Sequence, residues 1–383
     1  MISASLRRGL SLAALAAAAA VLASCETGPT PAELEAQRIA IEVASRRAPP
    51  VTLNDSVAQS ASVYLTFARD IATLRGGFAS AEDIQAALRR GSAYDPVQLS
   101  RGMIAYASIL ALQSPEFVAG VQQFSIDPVQ RQQMIAAVVA DPAYAATLPG
   151  ADHAAGLIIG TLGEDIDALV SAAASIEQDA YTIQERNDPR RAWAVQHIAD
   201  RENRLQGAKT ISDGIMQPSA DESARLIAAA TSGTGLVVSS ERRAPPYTPA
   251  VANALALAAL AALGAAGDEA RANTDALQND ASSQFCLNIS KLNLYQCLAA
   301  SRPSYEDMFC VGRHVVRDLA SCTQGTSVVV PVITVGDPVE GGAAPRPTSI
   351  ATPVPSPDIT PSVPSATTSS LNSGTAVPYT PGR

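Results

Sequence analysis

Four cysteines crowd into residues 286–322, "CLNISKLNLYQCLAASRPSYEDMFCVGRHVVRDLASC", and the fifth stands alone at Cys25. Thiols at this density bind a metal, exchange electrons or pair as disulfides. Spacing separates the first use from the others. Cys286, Cys297, Cys310 and Cys322 are separated by ten, twelve and eleven residues. No Cys-x-x-Cys brings two thiolates to one ion, as a zinc site of this kind would need. His153, His197 and His314 are far apart, outside any His-Glu-x-x-His pattern and away from metal spacing to a cysteine. No metal and no cofactor is expected. Redox exchange and structural stapling remain, and compartment decides between them.

Carboxylates supply the second chemistry to weigh. Glu164, Asp165 and Asp167 cluster in "GEDID". Paired carboxylates can divide acid and base roles across a glycosidic bond. A sugar-cutting groove also needs aromatic walls, and aromatics are 4% of this chain, with Trp193 its one tryptophan. The acids are expected to form a solvated helix face. No Gly-rich phosphate loop, serine nucleophile elbow or papain-like cysteine context is present, so the chain is expected to be no enzyme. The charged corner "ERNDPRRAW", 185–193, reads as the surface of a helix–turn–helix.

The elements that must position these groups begin with the N-terminus, "MISASLRRGLSLAALAAAAAVLASC". Arg7 and Arg8 precede an apolar run from Leu10 to Val21, too short to span a bilayer and of the right length for a secretory signal. The run ends Leu22-Ala23-Ser24-Cys25, which resembles the lipobox of bacterial lipoproteins. That resemblance implies removal of residues 1–24, diacylation of the Cys25 thiol (palmitate-class chains), and an acylated new terminus. Two or three acyl chains anchor a protein stably. Glu26, where an aspartate commonly marks inner-membrane retention in that family, implies the periplasmic face of the outer membrane. Loss of Arg7 and Arg8 with no acid takes the net charge from −9 to −11, which argues against nucleic acid as a partner.

The opposite end, 326–383, is rich in Pro, Ser, Thr and Gly with few charges. It is expected to be a disordered tail, with "VVVPVITV" a short extended piece. Between the ends, Thr30-Pro31, Asp95-Pro96, Ser114-Pro115, Asp127-Pro128, Asp141-Pro142, Asp188-Pro189 and Thr248-Pro249 each pair an N-cap residue with a proline suited to the first helical position. "SAEDIQAALRRG" adds a capping box, Ser80 with Asp83. Almost no period-2 run survives. The expected fold is all-α, a multi-helix bundle or array. Its helices are expected at 31–47, 54–75, 81–90, 96–113, 115–124, 128–140, 151–186, 190–216, 220–231, 249–265, 268–299 and 304–322. Domain limits follow: a lipid-anchored segment 25–50, a helical domain 51–240, and C-terminal helices with the cysteine hairpin 241–325. "PAVANALALAALAALGAAG", 249–267, reads as a buried core helix. Gly156, Gly160 and Gly163 read as a face that lets another helix approach. "RRAPP", at 46–50 and 242–246, reads as shared helix-stop chemistry.

An exported chain favours disulfides over the redox and metal alternatives. The layout is similar to twin-CxnC helical hairpins, in architecture only. Eleven residues at about 100° each return Cys286 and Cys297 to one face, with Ile289 and Asn293 between them. Antiparallel helices demand nested pairs whose numbers share a nearly constant sum, which selects Cys286–Cys322 and Cys297–Cys310. Cys310 and Cys322 are twelve apart, about 120° off a common face, so the second helix is expected to supercoil, tighten or fray near Cys322, before a stop at Gly325. Ser304 with Asp307 is expected to cap that helix. The resulting expectation is a membrane-anchored periplasmic lipoprotein with a non-catalytic binding or scaffold role toward an envelope protein or peptidoglycan. The alternatives are a peptidoglycan-acting enzyme or its regulator, and a lipid or small-ligand carrier.

Overall fold

A computed structural model of the chain describes residues 30–45, 48–186, 188–238 and 241–328. The expected signal, the expected lipobox with Cys25 and the expected tail from residue 329 onward lie outside the described residues. The helices are α1 Pro31–Ser45, α2 Asp55–Ala72, α3 Ala81–Ser92, α4 Pro96–Ala111, α5 Pro115–Gln122, α6 Pro128–Ala140 and α7 Ala151–Glu185. They continue with α8 Arg201–Ser212, α9 Ala220–Ser232, α10 Pro249–Ala262, α11 Arg271–Leu277, α12 Ala281–Ala300, α13 Ser304–Val311 and α14 Asp318–Ser327. No strand occurs among the described residues; the fold is all-α.

The proline-preceding caps do what their chemistry requires. Asp95 accepts from the Gln98 amide at 2.8 Å, Ser114 from Phe117 at 3.2 Å and Thr248 from Val251 at 3.2 Å. Asp141 and Asp188 are used the same way, but each opens a 3-10 turn, Pro142–Thr147 and Pro189–Val195. The Ser80–Asp83 capping box is formed in both directions.

The apolar α10, with Asn253 its one polar residue, lies at the centre of the core. Its residues from Ala254 to Ala262 are fully buried, and it packs on α4 and on the 142–147 turn. Alanine on every side lets these neighbours approach closely, which a bulkier helix would prevent. No single described helix is long and apolar enough to cross a membrane. One hydrophobic core includes Leu53, Tyr64, Ile158, Leu257, Leu294 and Cys322. Residues on both sides of the 240/241 limit therefore share one core.

Several expected elements differ. The helix expected over 190–216 is broken. Asp200 sits in the left-handed region (φ 51°), and the preceding stretch leaves the helix to pair with the 302–304 loop. There the Ile198 amide donates to Arg302 O at 2.8 Å, and Ser304 N–H to Gln196 O at 3.2 Å. The helix expected over 268–299 is interrupted at Gln278–Asp280, because Asp280 caps α12 by accepting from the Ser283 amide at 2.7 Å. Gly156 admits a loop rather than a helix: a Cβ there would lie 1.6 Å from Glu241 O, while Gly163 faces open space. The second "RRAPP" follows no helix. Its Arg242 clamps Glu116 (2.5 Å) and Asp152 (3.1 Å), tying that loop to α5 and α7.

The cysteine hairpin forms as α12 against α13–α14, bonded Cys286–Cys322 and Cys297–Cys310, with Cα–Cα distances of 5.6 and 5.8 Å. The twelve-residue interval is solved by widening. Gly312–Arg317 is a π-helical segment, whose i→i+5 bonding adds about one residue to a turn. The interval from Cys310 to Cys322 then behaves as eleven α-helical residues, matching the interval on α12. Ser290 of α12 donates to His314 O at 3.1 Å inside the widened turn. The second helix neither tightens nor frays at Cys322, and it runs past Gly325 to Ser327, with Thr326 and Ser327 buried. The helical body thus ends later than the expected limit of 325. Pro303, not Ser304, is the N-cap of α13, and Asp307 turns inward.

Candidate functional site: the α3–α8 cleft

The break at Gln196–Asp200 opens a cleft. Its walls are the first turns of α3, the Trp193 turn, the 196–200 stretch and the start of α8, and its volume is about 690 Å³. That size suits a small organic ligand or a short polymer segment. Glu82, Arg89, His197 and Asn203 supply charge and hydrogen-bonding groups around it, and Trp193 an aromatic wall.

The floor is a buried ion pair. The Arg204 and Asp307 side chains are 6% and 0% exposed and bonded to each other. Asp307 also accepts from Gln85 Nε2 at 3.0 Å and from Ser301 Oγ at 2.5 Å. Arg204 reaches Leu298 O, and Arg201 donates to Ser301 O at 2.7 Å and Ala299 O at 2.8 Å. Two arginines of α8 thus satisfy the orphan carbonyls at the end of α12, where a cation is also favoured by the helix dipole. A buried pair of this kind needs its remaining lone pairs and protons bonded; those of this pair are, except at Arg204 Nε, which is buried with no hydrogen-bond partner among the described residues. Here the bonding ties α3, α8, α12 and α13 into one frame under the cleft. Behind Trp193, the Arg191 guanidinium lies 5.8 Å from the ring centroid and is gripped by Asp179. Burial works to raise the Asp179 carboxyl, but bonds from Arg191 and the Gly77 amide outweigh it and hold it below the usual range.

The acids of "GEDID" do not converge on this cleft or on each other. Glu164 and Asp167 are exposed, while Asp165 turns inward, so the expected solvated face holds for two of the three. Burial pushes the Asp165 carboxyl up to about 6, opposed by Arg69 and reinforced by Glu164. Its Oδ2, the Tyr64 hydroxyl and Thr323 Oγ1 are buried with no hydrogen-bond partner among the described residues. The Tyr64 hydroxyl is itself pushed up by burial and by the Asp165 charge. This cluster is a buried polar inclusion in the core.

Of the histidines, His153 shares a 2.7 Å bond with the cap Ser114, and His314 one of 3.2 Å with Asp318. His197 alone lies at the cleft. Among the described residues, no three His, Cys, Asp or Glu side chains are grouped to hold a metal ion. Sequence reasoning missed Gln85, Arg89, Asn203 and Arg204. They come together only because the helix breaks at 196–200, and the corner holding Trp193 was the one local signal. No family model, curated protein or solved structure matches the chain.

Proposed function

We propose that this chain is a lipid-anchored lipoprotein of the bacterial cell envelope whose helical body binds or scaffolds another envelope component without catalysing a reaction. The observation that carries this reading is the doubly bonded hairpin. Four thiols paired in two disulfides belong to an oxidising compartment, in keeping with the export signal and the Cys25 lipobox. Outer-membrane placement rests on Glu26 and the family sorting rule. The cleft is the docking place this reading favours, because its floor is rigid and its wall groups are arranged for recognition.

The Trp193 wall beside the Gln85, Asn203 and Glu82 side chains suits a ligand with an apolar ring face and many hydroxyls or amides, as peptidoglycan has. One apolar gap inside the core, between Met103, Ile158, Leu162 and Val251, is about 10 Å³. It is too small for an acyl chain and gives the carrier alternative no support.

Two measurements test the reading. Cys25→Ala should leave a longer precursor that no longer partitions with detergent-phase lipoproteins; normal processing and retention of that variant would end the lipoprotein claim. Because Trp193 is the sole tryptophan, its fluorescence reports on the cleft directly. Soluble peptidoglycan fragments should shift it saturably in the wild type and not in Asn203→Ala. An unchanged spectrum would remove peptidoglycan, leaving in-cell crosslinking to identify a protein partner.

A further inference from the structure

The stretch that opens the cleft is one half of a short antiparallel pair, with His197 opposite Pro303. Gln196 O accepts from the Ser304 N–H at 3.2 Å, and the Ile198 N–H donates to Arg302 O at 2.8 Å. Main-chain groups of an extended segment point alternately to its two edges. The N–H and C=O of His197 therefore lie on the edge away from Arg302 and Ser304. Neither group has a hydrogen-bond partner among the described residues. His197 is exposed and lines the cleft. An unpaired edge of this kind is a template for one more extended chain.

The charges around that edge suit a ligand of both signs. Glu82, Gln85 and Arg89 stand at i, i+3 and i+7 on one face of α3, and all three line the cleft. Glu82 and Arg89 are exposed, and the side chain of neither has a hydrogen-bond or ion-pair partner among the described residues. Seven residues of helix set them about 10 Å apart along the axis, the span of about three extended residues. Asp200 lines the cleft as well, a second carboxylate able to receive a cation.

From this we infer that the α3–α8 cleft takes a short zwitterionic peptide, held extended along the His197 edge with its cation at Glu82 and its carboxylate at Arg89. One residue of the peptide exchanges both backbone bonds with His197, as a directly opposed antiparallel pair does. The Arg89 guanidinium meets the carboxylate with two parallel bonds. Trp193 is the wall for an apolar side chain, and the Asn203 amide serves the neighbouring peptide groups. A glycan without peptide offers no such pair of charges. The inference rests on the reading of this cleft as the docking place and narrows its ligand to the peptide class.

Equilibrium dialysis of the full chain in non-ionic detergent against the tripeptide Ala-Leu-Ala, paralleled by Trp193 fluorescence, tests it. The tripeptide should bind saturably. Its C-terminal amide and its N-acetyl form should each bind about tenfold more weakly or worse, the loss of one charge-assisted bond. The form methylated at the leucine nitrogen, which cannot donate to His197 O, should weaken likewise. Arg89→Gln should bind acid and amide alike, and Glu82→Gln should bind free and acetylated peptide alike. Both positions are exposed, and circular dichroism checks that the helical fold is kept. N-acetyl-Lys-Leu-Ala separates two sources of the ligand. Recovered binding assigns the cation to a side chain, as in a peptide tethered to peptidoglycan through its amine; unrecovered binding assigns it to the free end of a loose peptide. Absence of saturable binding by Ala-Leu-Ala overturns the inference, as does binding indifferent to both end modifications or to methylation. If soluble peptidoglycan fragments still shift Trp193 in that case, the docking reading stands and the peptide class alone falls. If they do not, both fall.

Discussion

Asp165 shows how one residue can be legible as a type and illegible in its role. Its neighbours in "GEDID" mark an acidic turn, but which carboxylate faces inward is set by the rotation of a 35-residue helix against Tyr64 and Thr323. A carboxyl raised from 3.8 to about 6 binds its proton more tightly in the folded chain than in the unfolded one. Stability contributed by that proton is present below the unfolded value and lost as pH rises through about 6. Asp165→Asn should therefore stabilise the protein at pH 7.5 by about 1–3 kcal/mol, and the gain should shrink toward zero near pH 3.5. Urea titrations at the two pH values decide it; an equal gain at both would refute the burial argument. The opposite sign applies to the cleft floor. Arg204→Met leaves Asp307 charged and buried without its cation, at a cost of about 3–5 kcal/mol. Adding Asp307→Leu should recover much of that loss, because removing both charges spares both from desolvation.

At the scale of elements, helix starts were legible and helix interruptions were not. A cap with a following proline is a local device, and all seven expected ones lie at the start of an α-helix or 3-10 turn. The break at 196–200 depends on pairing with residues about a hundred positions later, which no local pattern announces, and the cleft went unread with it. The hairpin sits between these cases. Its pairing followed from the cysteine intervals, and even its misfit of one residue was visible. The remedy was not, because a π-turn and a frayed end answer the same arithmetic, and only packing against α7 selects one. Gly312 there lies against Ile176, and Arg317 bonds Glu177 at 2.7 and 2.8 Å. Deleting the exposed Arg313 should return this turn to α geometry with eleven residues from Cys310 to Cys322, which leaves Cys322 facing Cys286. Non-reducing peptide mapping should then find both bonds intact; loss of Cys286–Cys322 would mean the π-turn is not what absorbs the extra residue. Loss of the outer bond should cost less than the nearly 4 kcal/mol of its isolated loop, since the inner bond, at about 3, already restrains the same chain.

For the whole molecule, the all-α class and the buried α10 were legible because alanine-rich periodicity without β alternation leaves few ways to bury surface. The C-terminal limit was not, because "SCTQGTSVVV" carries a glycine and small polar residues that resemble the start of a tail. Their burial comes from distant partners. Thr248, the cap of the central α10, donates its hydroxyl to Thr326 O at 2.5 Å. Ser327 bonds back to Thr323 O at 3.0 Å. The last turn of α14 therefore closes over the start of the helix on which the core is built. A pair of truncations separates this from a body that ends at residue 325. Ending the chain after Val330 should leave the thermal midpoint within a degree or two of the full chain. Ending it after Gln324 removes the Thr326 carbonyl, exposes the α10 cap and strips two buried side chains from the core. Each such loss is worth about 1 kcal/mol or more, so the midpoint should fall by several degrees. Equal midpoints for the two truncations would place the end of the folded body before Gly325 and detach α14's last turn from the core.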